Sequence, residues 1–91
     1  MPTHGKKFWG NGGVSFDAVE RVEALLEERT GMRAREVYAD YSSRSYERVL
    51  VIDGVEVTFA YNSSWPGYGT VRWKGECEAA QEAVDEVRAS L

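Results

Sequence analysis

Apolar residues recur along this chain with two different periods, and each change of period marks a new element. Between Ser15 and Gly31 they lie three and four positions apart, which predicts an amphipathic helix capped by the serine and ended by the glycine. Residues 76–91 repeat this spacing and predict a second helix. Between the two helices the period falls to two, which is typical of strands with one buried face.

The strongest local signal is Asp53-Gly54, which separates two runs of β-branched and aromatic residues, 46–52 and 55–62. A two-residue Asp-Gly turn predicts a β-hairpin and fixes the register of its strands. The pairs predicted on the core face are Ile52 with Val55, Leu50 with Val57, Arg48 with Phe59, and Tyr46 with Tyr61. The other face of the hairpin carries Val49, Val51, Glu56, Thr58 and Ala60.

Two further alternating segments, residues 33–41 and 70–74, complete the predicted strands. Strands joined by short links pair antiparallel, and two amphipathic helices can cover one face of such a sheet. The predicted fold is therefore a two-layer α+β sandwich of order α-β-β-β-β-α, with a four-stranded antiparallel sheet and both helices on one face. Residues 15–91 are expected to form this single domain.

Residues 1–14 differ in composition from the rest, because they contain four of the nine glycines. This glycine density predicts a flexible N-terminal arm that precedes the domain. The arm also contains Lys6, Lys7, Phe8 and Trp9. Since large aromatic side chains are rarely left in solvent, we expect part of the arm to dock on the domain or on a partner.

Composition narrows the class of protein further. The chain has 91 residues, of which 43% are apolar, and this length and content predict one globular domain. A single cysteine and a single histidine exclude an intrachain disulfide and a zinc site built from these two residue types. No metal and no cofactor is expected. With no apolar run of roughly 18 residues, no membrane association is expected, and the predicted location is the cytoplasm.

Charge is distributed unevenly along the chain, whose net charge is −4. Residues 17–30 contain five acids and two bases, and residues 76–91 contain five acids and one base, so both helices are acidic. Such a surface either faces solvent or meets a basic partner. The carboxylates predicted to form this acidic surface are Glu20, Glu23, Glu27, Glu78, Glu82, Asp85 and Glu86.

Aromatic residues in the loop and the arm are the main candidates for a binding site. Trp65 and Tyr68 lie in a loop with proline and glycine, whereas Phe8 and Trp9 lie in the arm. Tryptophan and tyrosine dominate the energetics of protein interfaces, and exposed aromatic patches mark contact sites. We therefore predict a small non-enzymatic binding protein that acts by protein–protein contact, such as an inhibitor or an accessory subunit of a larger assembly.

A nucleic-acid-binding module is the main alternative. Lys6 and Lys7 in the arm, together with Arg72 and Lys74 on the last predicted strand, would follow a phosphate backbone while aromatic rings stack on bases. The overall acidity of the chain argues against this partner.

Self-association is a further alternative, because the hairpin face left uncovered by the helices is half apolar. A monomer rarely exposes such a patch, so Val49, Val51, Thr58 and Ala60 are candidates for a homodimer face.

The only enzymatic alternative is remote. Small tautomerases use an N-terminal proline as their base, and Pro2 would become N-terminal after removal of the initiator methionine. The glycine-rich residues that follow give this amine no fixed position, and no enzymatic activity is predicted.

Overall fold

The computed structural model of the chain describes residues 3–9, 12–64 and 67–90. In this part of the chain, five strands and two helices follow one another in the order β-α-β-β-β-β-α. They are β1 (Thr3–Trp9), α1 (Gly12–Thr30), β2 (Arg35–Tyr41), β3 (Ser45–Ile52), β4 (Val55–Asn62), β5 (Tyr68–Lys74) and α2 (Glu78–Ala89). The α+β class and the antiparallel sheet agree with the prediction, but the predicted number of four strands is wrong.

The additional strand, β1, is formed by residues that the sequence assigned to a flexible arm. It pairs antiparallel with β5 along its whole length, from Thr3 opposite Lys74 to Trp9 opposite Tyr68. Phe8 lies in the hydrophobic core and is only 2% exposed. Residues 3–9 are therefore an integral strand at one edge of the sheet.

The glycine in β1, Gly5, is needed for close packing. The glycine content of residues 1–14 therefore led to a wrong prediction of flexibility at this position. A Cβ on Gly5 would lie 2.6 Å from the carbonyl oxygen of Val71 and 2.8 Å from Cγ of Arg72. Glycine within a strand often marks such a close approach. Gly5 therefore lets the neighbouring strand and the Arg72 side chain come close to β1.

The strands lie in the order β1-β5-β4-β3-β2, and each neighbouring pair is antiparallel. The hairpin of β3 and β4 has the register predicted from its turn, with all four core-face pairs in place. Asp53 and Gly54 both have positive φ angles, of 50° and 76°, as this type of tight turn requires. The most local part of the fold was thus the most predictable.

One hydrophobic core lies between the helices and one face of the sheet. The sheet contributes Phe8, Leu50, Ile52, Val57, Phe59, Val71 and Trp73, and the helices contribute Ala18, Val19, Val22, Leu26, Ala80, Ala83, Val84 and Val87. Because side chains of both helices join this cluster, both helices lie on the same face, as predicted. The opposite face of the sheet is called the open face below.

Helix α1 packs closely on β5 at Gly69. A Cβ at this position would overlap Cγ2 of Val19 and lie 2.9 Å from the carbonyl oxygen of Ser15. The helix begins at Gly12, so Ser15 lies within its first turns and is fully buried, whereas the sequence predicted it as the cap. The predicted end is confirmed, because Gly31 follows the helix with a φ angle of 68°.

Strand β2 forms the other edge of the sheet. All seven of its residues are exposed. Its pairing with β3 shifts by one residue between Glu36 and Tyr38, which places a β-bulge at Val37. The bulge puts Arg35 and Asp40 on the same face of the sheet, although they are five residues apart.

Candidate functional site

Four aromatic rings meet at the end of the sheet where β3 begins and β4 ends. Phe16, Tyr41, Tyr46 and Tyr61 form this aromatic cluster on the helix side of the sheet. The centroids of Phe16 and Tyr61 are 5.4 Å apart and their planes are nearly perpendicular. Tyr46 lies 5.6 Å from Tyr61 and 5.8 Å from Tyr41. Distances and angles in this range are favourable for aromatic pairs.

The outer rings of the aromatic cluster are accessible, whereas the central ring is held in place. Phe16 is 40% exposed and Tyr41 is 62% exposed. Tyr46 donates its hydroxyl proton to Oε1 of Glu20 at 3.3 Å. Burial and the nearby Glu20 carboxylate raise the pKa of Tyr46 well above its ordinary value. The side chain of Tyr46 is therefore neutral and held in one position, and the two exposed rings pack against it.

An ion-pair network lies beside the aromatic cluster and fixes β3 against its neighbours. Nη1 of Arg48 lies 2.8 Å from Glu23 on α1, and Nε lies 2.6 Å from Glu36 on β2. Burial acts to lower the pKa of Arg48, but the hydrogen bonds to Glu36 and Glu23 outweigh it and raise the pKa. The guanidinium thus keeps its charge on the core-facing side of the sheet.

Exposed apolar side chains continue from the aromatic cluster along β2. Val37 and Tyr38 are each about half exposed, and Tyr41 at the end of this strand belongs to the cluster itself. We call the aromatic cluster together with strand β2 the contact surface. It combines an edge strand, which pairs only with β3 among the described residues, with large apolar side chains, and natural proteins tend to cover both features.

Of the four residues predicted as anchors, the two whose side chains the structure describes, Phe8 and Tyr68, lie on opposite sides of the sheet. Phe8 is buried in the core, so it is not available to a partner. The backbone of Trp9 belongs to β1, but its side chain and the whole of Trp65 lie outside the described residues. Tyr68 faces the open side of the sheet, where the ammonium group of Lys7 lies 4.6 Å from the centre of its ring.

The carboxylates of the predicted acidic surface are mostly engaged within the chain. Six of the seven accept hydrogen bonds. The donors are Tyr46 for Glu20, Arg48 for Glu23, the backbone N–H of Ala34 for Glu27, Arg29 for Glu82 and Glu86, and Gln81 for Asp85. These carboxylates join α1 to the sheet, to the following loop and to α2. Because they are already hydrogen-bonded within the chain, fewer carboxylates are available to a basic partner than the composition of the helices indicates.

Three of the four predicted basic contacts lie on the open face. Lys7 on β1 and Arg72 and Lys74 on β5 share this face, whereas Lys6 pairs with Val71 and faces the helix side. A shallow groove of about 540 Å³ follows β1 and β5, and Lys7, Tyr68 and Arg72 are among its lining residues.

The predicted homodimer face is also part of the open face. Val49, Val51, Thr58 and Ala60 lie together there on β3 and β4, and each is half buried. Pro2, which the tautomerase alternative requires, lies outside the described residues.

A second groove, of about 370 Å³, is lined by the single histidine and the single cysteine of the chain. The sequence did not predict that these two residues lie close together. His4 stacks on Trp73 with a centroid distance of 6.1 Å, and Cys77 lies at the start of α2. Within the described ranges, no group of three or more His, Cys, Asp or Glu residues is placed to hold a metal ion. Neither described helix is long and apolar enough to cross a membrane.

No protein-family model, curated protein or solved structure matches this chain. Its functional interpretation therefore depends on the geometry of its own surfaces.

Proposed function

We propose that this chain is a small non-enzymatic binding protein that acts by protein–protein contact, as an inhibitor or accessory subunit of a larger assembly. The observation that carries the proposal is the contact surface. Two exposed rings of the aromatic cluster, those of Phe16 and Tyr41, lie at one end of a strand whose seven residues are all exposed.

The aromatic cluster has the properties of an interface anchor. Aromatic rings supply a large contact area at a low cost in side-chain entropy, and they are enriched among the residues that dominate binding energy. The ring of Tyr46 is fixed by its hydrogen bond to Glu20 and by its neighbours, so the exposed rings rest on an ordered base. A partner that covers them therefore gains apolar burial with little additional ordering.

The free edge of β2 adds a second element of recognition. An extended segment of a partner can add to an exposed strand through backbone hydrogen bonds, while adjacent side chains provide selectivity. The bulge at Val37 interrupts this edge and limits unselective pairing. The contact surface is therefore expected to accept a short strand next to Tyr38 and Tyr41.

The test is affinity capture from the native host with wild-type protein and with the double variant Phe16→Ser, Tyr41→Ser. We expect a protein partner to be retained by the wild type at high salt and to be lost from the double variant, because apolar contacts resist salt. Circular dichroism and thermal unfolding verify that the variant is folded.

Met32→Ser is the matched control for this capture. Met32 is a large apolar residue that is also exposed, but it follows the opposite end of α1 from Phe16. The control is expected to retain the partner. A partner that remains on the double variant, or that is lost equally from Met32→Ser, would contradict the proposed contact surface.

A further inference from the structure

The open face of the sheet divides into a basic half and an acidic half, with small apolar residues between them. Lys7, Arg72 and Lys74 lie on β1 and β5. Glu47 on β3 and Asp40 on β2 lie on the other side, which also carries Arg35, and Glu56 lies between the two halves on the central strand β4. The row across the sheet runs from Lys7 through Thr70 and Ala60 to Glu47 and continues to Asp40 on β2.

Charges at the centre of this face have no partner inside the molecule. In the described part of the chain, the side chains of Arg72, Glu47 and Glu56 take part in neither a hydrogen bond nor an ion pair. The helix-side charges differ, since Arg29 and Arg48 each bind two carboxylates. The open face thus presents, at Arg72, Glu47 and Glu56, charges of both signs that an opposing surface can neutralise.

We propose that the open face is a homodimer interface, in which the basic half of one copy covers the acidic half of a second copy. A two-fold axis that runs parallel to β4 and in front of it places β5 of one copy opposite β3 of the other. Lys7 then lies opposite Asp40 of the second copy in the same cross-strand row, and Arg72 lies one row away from its Glu47, within reach of two long side chains. Two-fold symmetry forms each contact twice, which is the self-complementarity that closed dimers require.

The apolar centre of the open face fits the same arrangement. Val49, Thr58 and Ala60 lie near the axis and contribute small or β-branched side chains without charge. Two such faces pack about 10 Å apart with their strands at roughly 30°. Packing of this kind removes from water the apolar patch that the helices leave uncovered.

The size of the face sets the expected strength of the dimer. Five strands spaced about 4.8 Å apart and about 24 Å long give roughly 600 Å² per copy. Two copies together bury about 1,200 Å², at the lower end of specific interfaces. We therefore expect a dissociation constant in the micromolar range.

Sedimentation velocity over a concentration series tests this proposal. The wild type is expected to change from monomer to dimer, and Arg72→Glu or Glu47→Arg alone is expected to weaken the dimer at least tenfold, because each places like charges opposite one another. The combination of both substitutions restores opposite charges and is expected to return the dissociation constant to within about threefold of the wild type. Circular dichroism verifies that each variant is folded.

Arg88→Glu is the matched control, because it reverses the charge of an exposed arginine on α2. It is expected to leave the dimer intact. A wild type that stays monomeric at all concentrations would overturn the proposal, as would a double variant that is no stronger than the single ones.

A nucleic-acid partner on the same face gives a different result. In that case the wild type is monomeric and binds a labelled single-stranded oligonucleotide, and Arg72→Glu abolishes the binding in both the single and the double variant. This outcome also overturns the homodimer. The proposal does not depend on the aromatic cluster, which lies on the opposite side of the sheet, although the open face and the contact surface share strand β2 through Tyr38 and Asp40.

Discussion

Arg48 shows how a single charged residue organises its surroundings. The register of the hairpin places it on the core face opposite Phe59, where an unpaired charge would be costly. Its ion pairs with Glu23 and Glu36 satisfy the guanidinium and connect β3 to both α1 and β2. The pairing partners could not be identified from the sequence, because they depend on how the helix lies over the sheet.

Replacement of Arg48 by methionine is expected to lower the free energy of unfolding by about 1–3 kcal/mol, because it leaves the half-buried carboxylate of Glu23 without its partner. Chemical denaturation measures the change. Arg33→Met, at an exposed position before β2, is the control and should remain within about 0.5 kcal/mol of the wild type. Equal stability of Arg48→Met and wild type would contradict the structural role of the network.

Tyr46 makes the free energy of unfolding depend on pH in the alkaline range. Its pKa is raised in the folded state, chiefly by burial and then by Glu20, whereas in the unfolded chain it is near the ordinary value of about 10. Below that pH the hydroxyl is neutral in both states. Above it only the unfolded chain loses the proton, so the free energy of unfolding falls as pH rises, by at most about 1.4 kcal/mol per pH unit.

Tyr46→Phe is therefore expected to reduce this alkaline loss of stability, and urea unfolding between pH 9 and about 11 measures it. The matched control, Tyr38→Phe, removes an exposed hydroxyl outside the aromatic cluster and should keep the wild-type slope. If both variants retain the same slope as the wild type, the pKa of Tyr46 is not raised by its site.

Among the secondary-structure elements, β1 differs most from the prediction made from the sequence. Its segment Thr3–Trp9 contains two lysines and a glycine and has no strong strand signal of its own. Its stability comes from a ladder with β5 and from Phe8, which enters the core beside α1. A strand of this kind depends on tertiary contacts more than on its intrinsic propensity.

Phe8→Ala is expected to destabilise the protein by about 3–5 kcal/mol, since it leaves a large cavity in the core. Hydrogen exchange should then increase first in β1 and along the β5 edge. Lys7→Ala, at the adjacent exposed position, is the control and should change stability by much less. A flexible arm would instead tolerate Phe8→Ala without loss of stability, and that result would contradict the strand.

For the molecule as a whole, sequence patterns predicted the parts whose contacts are local. The end of α1 at Gly31 and the register around Asp53 depend on neighbouring residues, and both were predicted correctly. The residues of β5 that pair with β1 lie about 60 to 70 positions later in the sequence, and no local sequence pattern predicts such a pairing.

The candidate site was predictable only in part, for the same reason. The pairing of Tyr46 with Tyr61 follows from the hairpin turn, but Phe16 and Tyr41 reach the cluster through the placement of α1 and the edge position of β2. The interpretation of Phe8 as an anchor failed because burial depends on the long-range ladder. Aromatic content alone did not distinguish a core residue from a surface residue.

The pairing of β1 with β5 also has a consequence for biosynthesis. The ribosome completes β1 long before it reaches Tyr68, where β5 begins. At about 5–20 residues per second, the interval lasts roughly 3 to 12 seconds. Throughout that time β1 lacks its partner strand, so the nascent chain carries an apolar and basic segment whose pairing edge is not yet covered.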